Sequence, residues 1–309
     1  MENDNRPVIT AIVATRNRPQ SIIETLYSLA RQQGLGGRIY EINIIDNSTD
    51  NITSENIEAF REENEEVLKK NRIILRVIKE TRAGLSYARN TGVQEASAPI
   101  IAFTDDDMIV DNYWLSAIAE TFDDKDVIGV FGYTKGATED YYISTKTETS
   151  VCDYRDTSTL WEMGHGNNMA FRREALIDIG LFDAELGAGS RYQAAEDTDL
   201  FYRMLQKGWL LRYQPAARAT HYGHLHEEDT VKKIEQYDTG AAAFAAKYVA
   251  KGDFRPLKLA LKRLRSRWEI IRPYIPFSPI AMLKDQHLIL FGFHQQVATF
   301  VRRFVENYR

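Results

Sequence analysis

The sequence predicts an α/β protein built on a mostly parallel sheet with helices on both faces. Short β-branched apolar runs alternate with amphipathic segments as far as residue 131, which is the pattern of successive strand–helix–strand units. The first run, 8–14, precedes a polar segment, 15–19, and then apolar residues at three-and-four spacing within 22–30. This order indicates a strand, a loop and a helix. Because 44% of the 309 residues are apolar and 27% are charged, the composition is that of a folded globular chain.

The same unit recurs along the first half of the chain. Further strands are predicted at 42–46, 73–78, 99–104 and 127–131, and further helices at 53–69, 84–96 and 112–121. A polar, aromatic stretch then runs to Leu160, as a long connection or a small meander. It is followed by a strand at 166–173, helices at 173–179 and 195–207, a strand at 208–213 and an Ala-rich helix at 229–250. Ligands of such sheets bind at the carboxyl ends of the strands. Function is therefore expected at 15–18, 46–50, 81–84 and 104–107.

The chain divides by composition into a domain of residues 1–250 and a basic helical extension, 251–309. The final 55 residues carry 11 Lys and Arg against 3 Asp and Glu. Within 257–271, one helical face is apolar and is surrounded by basic residues; the apolar residues are Leu257, Leu261, Leu264, Trp268 and Ile271. A basic amphipathic helix either contacts an anionic membrane surface or packs on the rest of the chain or in a homodimer. Both alternatives stay open.

Charge and cysteine content exclude several classes of protein. The net charge of −5 provides no global basic field, so no nucleic-acid partner is expected. Cys152 is the only cysteine, which excludes an intramolecular disulfide or a cysteine metal cluster. The N-terminal ten residues are polar and acidic, unlike a signal peptide, and no apolar run reaches the roughly 20 residues of a spanning helix. We therefore expect a cytoplasmic chain, at the inner face of the plasma membrane if the basic helix binds lipid.

Two acidic clusters are candidates for chemistry. Asp105, Asp106 and Asp107 follow an apolar strand, and their mutual repulsion can be offset by a divalent cation that holds a diphosphate. An acidic turn closing a strand is the alternative interpretation. Glu196, Asp197 and Asp199 open a helix, where carboxylates serve as caps or complement the dipole. The same dipole keeps a neighbouring carboxylate ionised, as a general base requires.

Six segments in order resemble the family 2 glycosyltransferases, an inverting group with the GT-A fold, a Rossmann-like mostly parallel sheet flanked by helices. The matching segments are 8–19, 44–50, 82–90, 102–107, 166–173 and the pair Glu196-Asp197. The resemblance implies transfer of a sugar from a nucleoside-diphosphate sugar to a hydroxyl of a saccharide or lipid-linked acceptor. Because a carboxylate accepts a hydrogen bond from an imide N–H, Asp46 favours a uracil or thymine base, and we expect a UDP-sugar. Surface polysaccharide or glycolipid synthesis is the expected setting.

The resemblance also implies roles for single residues. The nucleotide and the donor sugar are assigned to polar residues of the strand ends and to the glycine between them: Thr15, Arg16, Asn17, Asp46, Arg82, Gly84, Arg89, Asp105 and Asp106. Mn²⁺ or Mg²⁺ is assigned to Asp107 and His221, with His224 as the alternative histidine. The cation neutralises the leaving diphosphate.

The remaining roles concern the acceptor. Inversion needs a single displacement and one base, and the family position of that base corresponds to Asp197, with Glu196 beside it. The acceptor and the sugars are assigned to a segment that contains Trp161, Gly166 and Asn167.

Two other functions are weighed against this one. A metal-dependent phosphohydrolase would use the acidic triplet as an aspartyl nucleophile, but such motifs follow the first strand of their chains, whereas this triplet ends the fourth. A non-catalytic sugar- or membrane-binding module could share the fold. The presence of both Asp107 and Asp197 argues against a loss of catalysis.

Overall fold

The computed structural model describes residues 6–138, 144–222 and 227–262, without the side chains of 227–232 and 234. The strands in these ranges are β1 (Ile9–Thr15), β2 (Tyr40–Asp46), β3 (Ile73–Lys79), β4 (Ile100–Asp105), β5 (Met108–Val110), β6 (Val127–Gly136), β7 (Cys152–Tyr154), β8 (Asn168–Arg172) and β9 (Leu210–His221). The α-helices are α1 (Ser21–Leu29), α2 (Ile52–Glu63), α3 (Glu65–Lys70), α4 (Leu85–Glu95), α5 (Trp114–Thr121), α6 (Arg173–Asp178), α7 (Glu196–Gln206) and α8 (Glu227–Val249). The chain divides into two compact units, Met1–Ala184 with Leu200–His224, and Glu185–Asp199 with Leu225–Arg309.

One sheet organises the first unit. Its strand order is β3-β2-β1-β4-β8-β6-β9-β5, with β7 paired to β9 as well. The strands β3, β2, β1 and β4 run parallel. In the other half, β8 is antiparallel to both β4 and β6, whereas β6 and β9 run parallel. The predicted α/β class with flanking helices is confirmed. The four neighbouring strands that run parallel, β3, β2, β1 and β4, come from the part of the sequence in which strands and helices alternate.

The apolar runs form central strands because helices cover both faces of the sheet. Six of the seven residues of β1 and all seven of β2 are buried. Alternate residues of these strands, including Ala11, Val13, Ile42 and Ile44, belong to one hydrophobic core. This two-sided burial accounts for near-continuous apolar sequence rather than alternation.

Three local predictions are corrected. The segment predicted as a single helix at 53–69 is two helices, α2 and α3, that meet at Asn64. The three-residue strand β5 was not predicted, since so short an element carries no periodicity. The strand predicted at 208–213 extends to His221. Pro215 and the polar residues around it obscure that strand in the sequence, and the pairing of β6 with β9 shifts register nearby, between Gly132 and Tyr133.

The second unit combines residues 185–199 with α8. Gly240 of α8 lies so close to the loop that a Cβ atom there would be 2.6 Å from the carbonyl group of Ala194. Leu186, Tyr192 and Ala243 form a small hydrophobic cluster of the same unit. The loop 185–195 is therefore held both by α8 and by hydrogen bonds of its own, such as that from Tyr192 N–H to the carbonyl oxygen of Glu185 (3.2 Å).

Only the beginning of the predicted basic helix is described. Residues 255–262 are helical, with Leu259 buried and Leu261 53% exposed. Residues 263–271 of the predicted helix, including Leu264, Trp268 and Ile271, lie outside the described residues, and so does His224. No helix in the described ranges combines the length and the apolar character needed to cross a bilayer.

Candidate active site

The loops after β1, β2 and β3 are joined by one buried amide, that of Asn47. Its Nδ2 donates hydrogen bonds to the carbonyl oxygens of Glu80 (2.7 Å) and Arg82 (2.8 Å). Its Oδ1 accepts hydrogen bonds from Arg16 Nη1 (3.2 Å) and from the backbone N–H of Gly84 (3.1 Å). The predicted residues Arg16, Arg82 and Gly84 therefore meet at the carboxyl edge of the sheet. Asn47 itself was not predicted, although its place directly after a strand-end carboxylate is a signal that could have identified it.

Asn17 shapes the first of these loops. Its backbone is left-handed, with φ of 55°, a conformation that Asn tolerates better than most residues. Its N–H donates to Ser48 Oγ (2.8 Å), and its Oδ1 accepts from the N–H of Thr49 (3.0 Å). These hydrogen bonds join the loops after β1 and β2 into one surface. Their common role in binding the nucleotide stays a prediction.

Asp46 is fully buried and lies beneath that surface. Its Oδ1 accepts from the N–H of Ser48 (2.9 Å), and its Oδ2 accepts from the Ser54 hydroxyl and from Lys79 Nζ (3.0 Å). Burial alone would raise the pKa of Asp46, but the hydrogen bonds from Ser48, Ser54 and Lys79 outweigh it and leave that pKa below its usual value. The carboxylate is therefore ionised and already holds the loop. Recognition of a nucleobase by Asp46 stays a prediction.

Arg82 is held by Glu80, and Gly84 has an unusual backbone conformation. Glu80 Oε1 accepts from Arg82 Nε (3.0 Å), and Glu80 Oε2 accepts from Arg82 Nη2 (2.6 Å). These hydrogen bonds are the main cause that lowers the pKa of Glu80 to about 2. The Arg82 guanidinium also lies 4.7 Å from the ring centre of Tyr87. Gly84 precedes α4 with φ of 137°, which L-residues rarely adopt.

Asp106, the middle carboxylate of the acidic triplet, connects the end of β4 to the loop after β1 and to the beginning of α1. Its Oδ2 accepts from Thr15 Oγ1 (2.7 Å), its Oδ1 accepts from Arg18 Nη1 (2.8 Å), and its backbone carbonyl accepts from Ser21 Oγ (2.7 Å). Burial raises the pKa of Asp106 to about 6 against the opposing charge of Arg18. Thr15 and Asp106, two of the nine predicted nucleotide and donor-sugar ligands, thus bind each other and connect the loop after β1 to the end of β4.

Asp105 is oriented by a buried arginine. Arg89, whose side chain is 3% exposed, donates from Nη2 to Asp105 Oδ1 (3.1 Å) and to the carbonyl oxygen of Gly166 (2.9 Å). Its guanidinium lies 5.6 Å from the ring centre of Phe182. Arg89 therefore connects the triplet to the segment predicted to line the sugars, and its burial indicates a positioning role.

Asp107 and His221 form a closely spaced pair. His221 Nε2 lies 3.0 Å from Asp107 Oδ1, because β5 and β9 pair Met108 with His221. On the other side of the carboxylate, Arg18 Nη1 lies 3.1 Å from Asp107 Oδ2. No group of three or more His, Cys, Asp or Glu side chains suited to a metal gathers within 6–138, 144–222 and 227–262. The described chain therefore offers two side-chain ligands here, next to an arginine that the sequence analysis did not single out.

The predicted sugar-binding segment lies between a cavity and Arg89. Trp161 lines a cavity of 680 Å³ together with Gly164, and Gly166 is held by Arg89 as described above. Asn167 is 4% exposed, and its Nδ2 donates to the carbonyl oxygen of Ser144 (3.1 Å). Its Oδ1 is buried and has no hydrogen-bond partner in the described structure. An additional donor, such as a sugar hydroxyl, would satisfy that oxygen.

The second acidic cluster belongs to the second unit, at the beginning of α7. Asp199 is fully buried and accepts from Lys247 Nζ (2.6 Å) and Tyr248 Oη (3.0 Å), so this carboxylate holds α8. Asp197 is half-buried, and its Oδ1 accepts from the N–H of Thr198 (2.6 Å). Glu196 beside it is buried. The catalytic roles of Asp197 and Glu196 stay predictions.

The fold and the site define the class of protein: an α/β protein whose strand-end loops and acidic triplet form a polar edge, as the resemblance to the GT-A fold implies. The model of the family Glycosyl transferase family 2 matches residues 10–180, more than half of the chain. The chain therefore belongs to this family.

Similar proteins agree with that assignment. The Pre-mycofactocin glycosyltransferase of Mycobacterium tuberculosis is 25% identical over 183 residues, which cover 54% of this chain and 36% of that protein. The chain thus spans about a third of the length of that relative. The mannosyltransferase PcManGT of Pyrobaculum calidifontis, in complex with GDP-Man and Mn²⁺, has a TM-score of 0.60 at 20% identity, covering 98% of this chain and 87% of that one. S. aureus TarS 1-349 in complex with UDP-GlcNAc has a TM-score of 0.57 at 17% identity, covering 97% and 89%.

Proposed function

We propose that this protein is a metal-dependent inverting glycosyltransferase that moves a sugar from a UDP-sugar to a hydroxyl of a saccharide or lipid-linked acceptor. The observation that carries the proposal is the Asp107–His221 pair, 3.0 Å apart, at the sheet edge where Asn47 joins three loops. The nucleotide sugars named for PcManGT and TarS support this class of donor. Surface polysaccharide or glycolipid synthesis is the setting we propose.

The pair fits a divalent cation. A carboxylate oxygen and an imidazole nitrogen are suitable ligands for Mn²⁺, and with only two side chains engaged, coordination positions remain for diphosphate oxygens and water. Mg²⁺ prefers oxygen ligands and would rely more on Asp107. Asp107 and His221 would hold the cation, which when bound would supply positive charge to offset that of the leaving diphosphate. The Mn²⁺ named for PcManGT supports this cofactor.

The protein's own residues position the donor and move one proton. Arg89 fixes Asp105, which we assign to the donor sugar together with the buried Oδ1 of Asn167. Asp197 accepts the proton of the acceptor hydroxyl as that oxygen attacks the anomeric carbon and the bond to the diphosphate breaks. A single displacement inverts the anomeric configuration. Because the hydroxyl is a far weaker acid than any carboxylic acid, positioning contributes more than basicity.

Donor turnover in variants of the two carboxylates tests the proposal. The assay measures nucleotide release from UDP- and GDP-sugars with Mn²⁺ or Mg²⁺, and NMR gives the anomeric configuration of the product. Asp107→Asn is expected to abolish metal-dependent turnover, and Asp197→Asn to abolish transfer while donor binding persists. Asp178→Asn is the matched control, since Asp178 only pairs with Lys207 at the surface. Transfer that survives in Asp197→Asn would exclude Asp197 as the base, and a product of retained configuration would overturn the inverting mechanism.

The basic helix supports a further contact, with an anionic membrane surface. Leu261 is 53% exposed and Phe254 is 56% exposed, next to the exposed Lys258 and Lys262. Such a surface matches lipid headgroups and acyl chains, and the homodimer is the alternative occupant. Binding to vesicles with and without anionic lipid, compared with the oligomeric state in solution, separates the two. Vesicle binding that requires anionic lipid would support the proposed position at the inner face of the plasma membrane.

A further inference from the structure

A cavity of 680 Å³ lies in the first unit beside residues 144–165, and no residue of the acidic triplet lines it. Its volume falls within the range typical of small-molecule sites. Its walls combine three aromatic side chains with charged ones: Tyr154, Trp161, Tyr213, Lys146, Glu148 and Glu162. No role has been assigned above to any of these residues except Trp161.

The walls of this cavity are held in place by hydrogen bonds. Tyr213 is buried, and its hydroxyl donates to the carbonyl oxygen of Glu148 (2.7 Å). Lys146 Nζ donates to Glu148 Oε1 (2.9 Å) and lies 5.1 Å from the ring centre of Tyr213. The backbone of Lys146 is in turn bridged to Thr134 of β6. The cavity is thus preformed, which reduces the entropy that a ligand loses on binding.

The charges of the lining favour a neutral ligand. Lys146 of the lining is paired with Glu148. Asp153 of the lining accepts from Nε of Arg212 (2.6 Å), a residue that does not itself line the cavity. With the carboxylate of Glu162 added, the lining carries more negative than positive charge and disfavours phosphates. Tyr154 and Tyr213 are buried, so Trp161 is the partly exposed ring among the three. This ring, together with carboxylate and hydroxyl acceptors, suits a ligand that has an apolar C–H face and a rim of hydroxyls. A pyranose ring has both.

The cavity is connected by the chain to the residues around the triplet. Gly164 and His165 line it, and the next residue, Gly166, is held by the same Arg89 nitrogen that holds Asp105. On the opposite wall, Thr145 lines the cavity and follows Ser144, whose carbonyl oxygen accepts from Asn167. A ligand in the cavity would therefore contact residues directly next in the chain to Gly166, which belongs to the segment that we assign to the sugars.

We infer that this cavity binds neutral sugar rings of the acceptor, beyond the ring whose hydroxyl is glycosylated. That the bound sugar is the acceptor rests on the proposed function. Binding of a neutral oligosaccharide in the cavity does not, and it can be measured without turnover. The acceptor is accordingly an oligosaccharide or carries one.

Cys152 provides a direct test, because it is the only cysteine, is exposed and lines the cavity. Labelling the full chain with a bulky maleimide is expected to weaken binding of neutral tetrasaccharides at least tenfold. The probes are malto-, cello-, manno- and chitotetraose, measured by calorimetry and saturation-transfer NMR. The probe that binds should in turn slow labelling. Cys152→Ser, treated with the same reagent, should keep full affinity.

A second pair of variants guards against an effect of the label alone. Trp161→Ala is expected to weaken the same tetrasaccharide at least tenfold, and Trp161→Phe should restore most of the affinity. If none of the four probes binds, or if the label and Trp161→Ala leave affinity unchanged, the inference is wrong. Failure of the proposed function looks different: tetrasaccharide binding would respond to Cys152 labelling as expected, while no nucleotide sugar would be turned over.

Discussion

Arg18 is expected to compete with the metal for the acidic triplet. Its Nη1 lies 2.8 Å from Asp106 Oδ1 and 3.1 Å from Asp107 Oδ2, so one guanidinium neutralises part of the charge that would attract a cation. Replacing Arg18 by glutamine removes this positive charge and retains a polar side chain. We therefore predict that Arg18→Gln binds Mn²⁺ more tightly than the wild type when no nucleotide is present.

The magnitude follows from two partly exposed ion pairs. The side chain of Arg18 is 55% exposed, so solvent screens its charge, and pairs of this kind contribute about 0.2–1 kcal/mol each. Two such contacts amount to about 0.4–2 kcal/mol. This corresponds to a decrease of about 2- to 30-fold in the Mn²⁺ dissociation constant, smaller at high ionic strength because the exposed charge is screened further.

Electron paramagnetic resonance of free Mn²⁺ measures this constant directly. Arg16→Gln is the matched control, since it removes the same charge two residues away, where Arg16 donates to Asn47 and to no carboxylate of the triplet. Its effect is expected to be less than threefold on the same scale of exposed charges. Equal effects of the two substitutions, or weaker Mn²⁺ binding in Arg18→Gln, would refute the competition.

Three further predictions concern stability. Asn168→Ala should lower the free energy of unfolding by about 2–4 kcal/mol in urea titrations, because it strands the buried Trp114 Nε1–H, which donates to Asn168 Oδ1 at 2.8 Å; a loss below 1 kcal/mol would contradict this. Gly84→Ala should cost about 1–3 kcal/mol, since φ of 137° is strained for alanine, and an unchanged melting temperature would count against it. Arg82 lowers the pKa of Glu80 to about 2, so the ionised carboxylate stabilises the folded state. The free energy of unfolding of the wild type minus that of Glu80→Gln should be constant above the unfolded pKa of about 4.3. This difference should shrink as the pH falls towards 2. Urea titrations at pH 7, 5 and 3 measure the difference, which should not stay constant down to pH 3.

The ligand edge of the sheet was predictable because its signals are local. The buried runs of β1 and β2 and the triplet after β4 can be read within a few residues. Asn47 and Arg18 lie within the predicted segments 46–50 and 15–18, but neither was singled out and their contacts were not predicted. Amides and guanidinium groups acquire their roles from partners in other loops, such as Glu80 for Asn47 and Asp106 for Arg18, and no spacing in the sequence records those partners.

The sequence by itself determined the α/β class, the order of the elements and the edge at which the polar residues gather, because each depends on periodicity within one strand or helix. Only the tertiary structure decided what three adjacent aspartates do. Asp106 is buried on Thr15 and Arg18, Asp105 is held by Arg89, and Asp107 faces a histidine 114 residues away through the pairing of β5 with β9. Identical side chains differ because charge and burial come from distant segments that the fold brings within 3 Å or so of them.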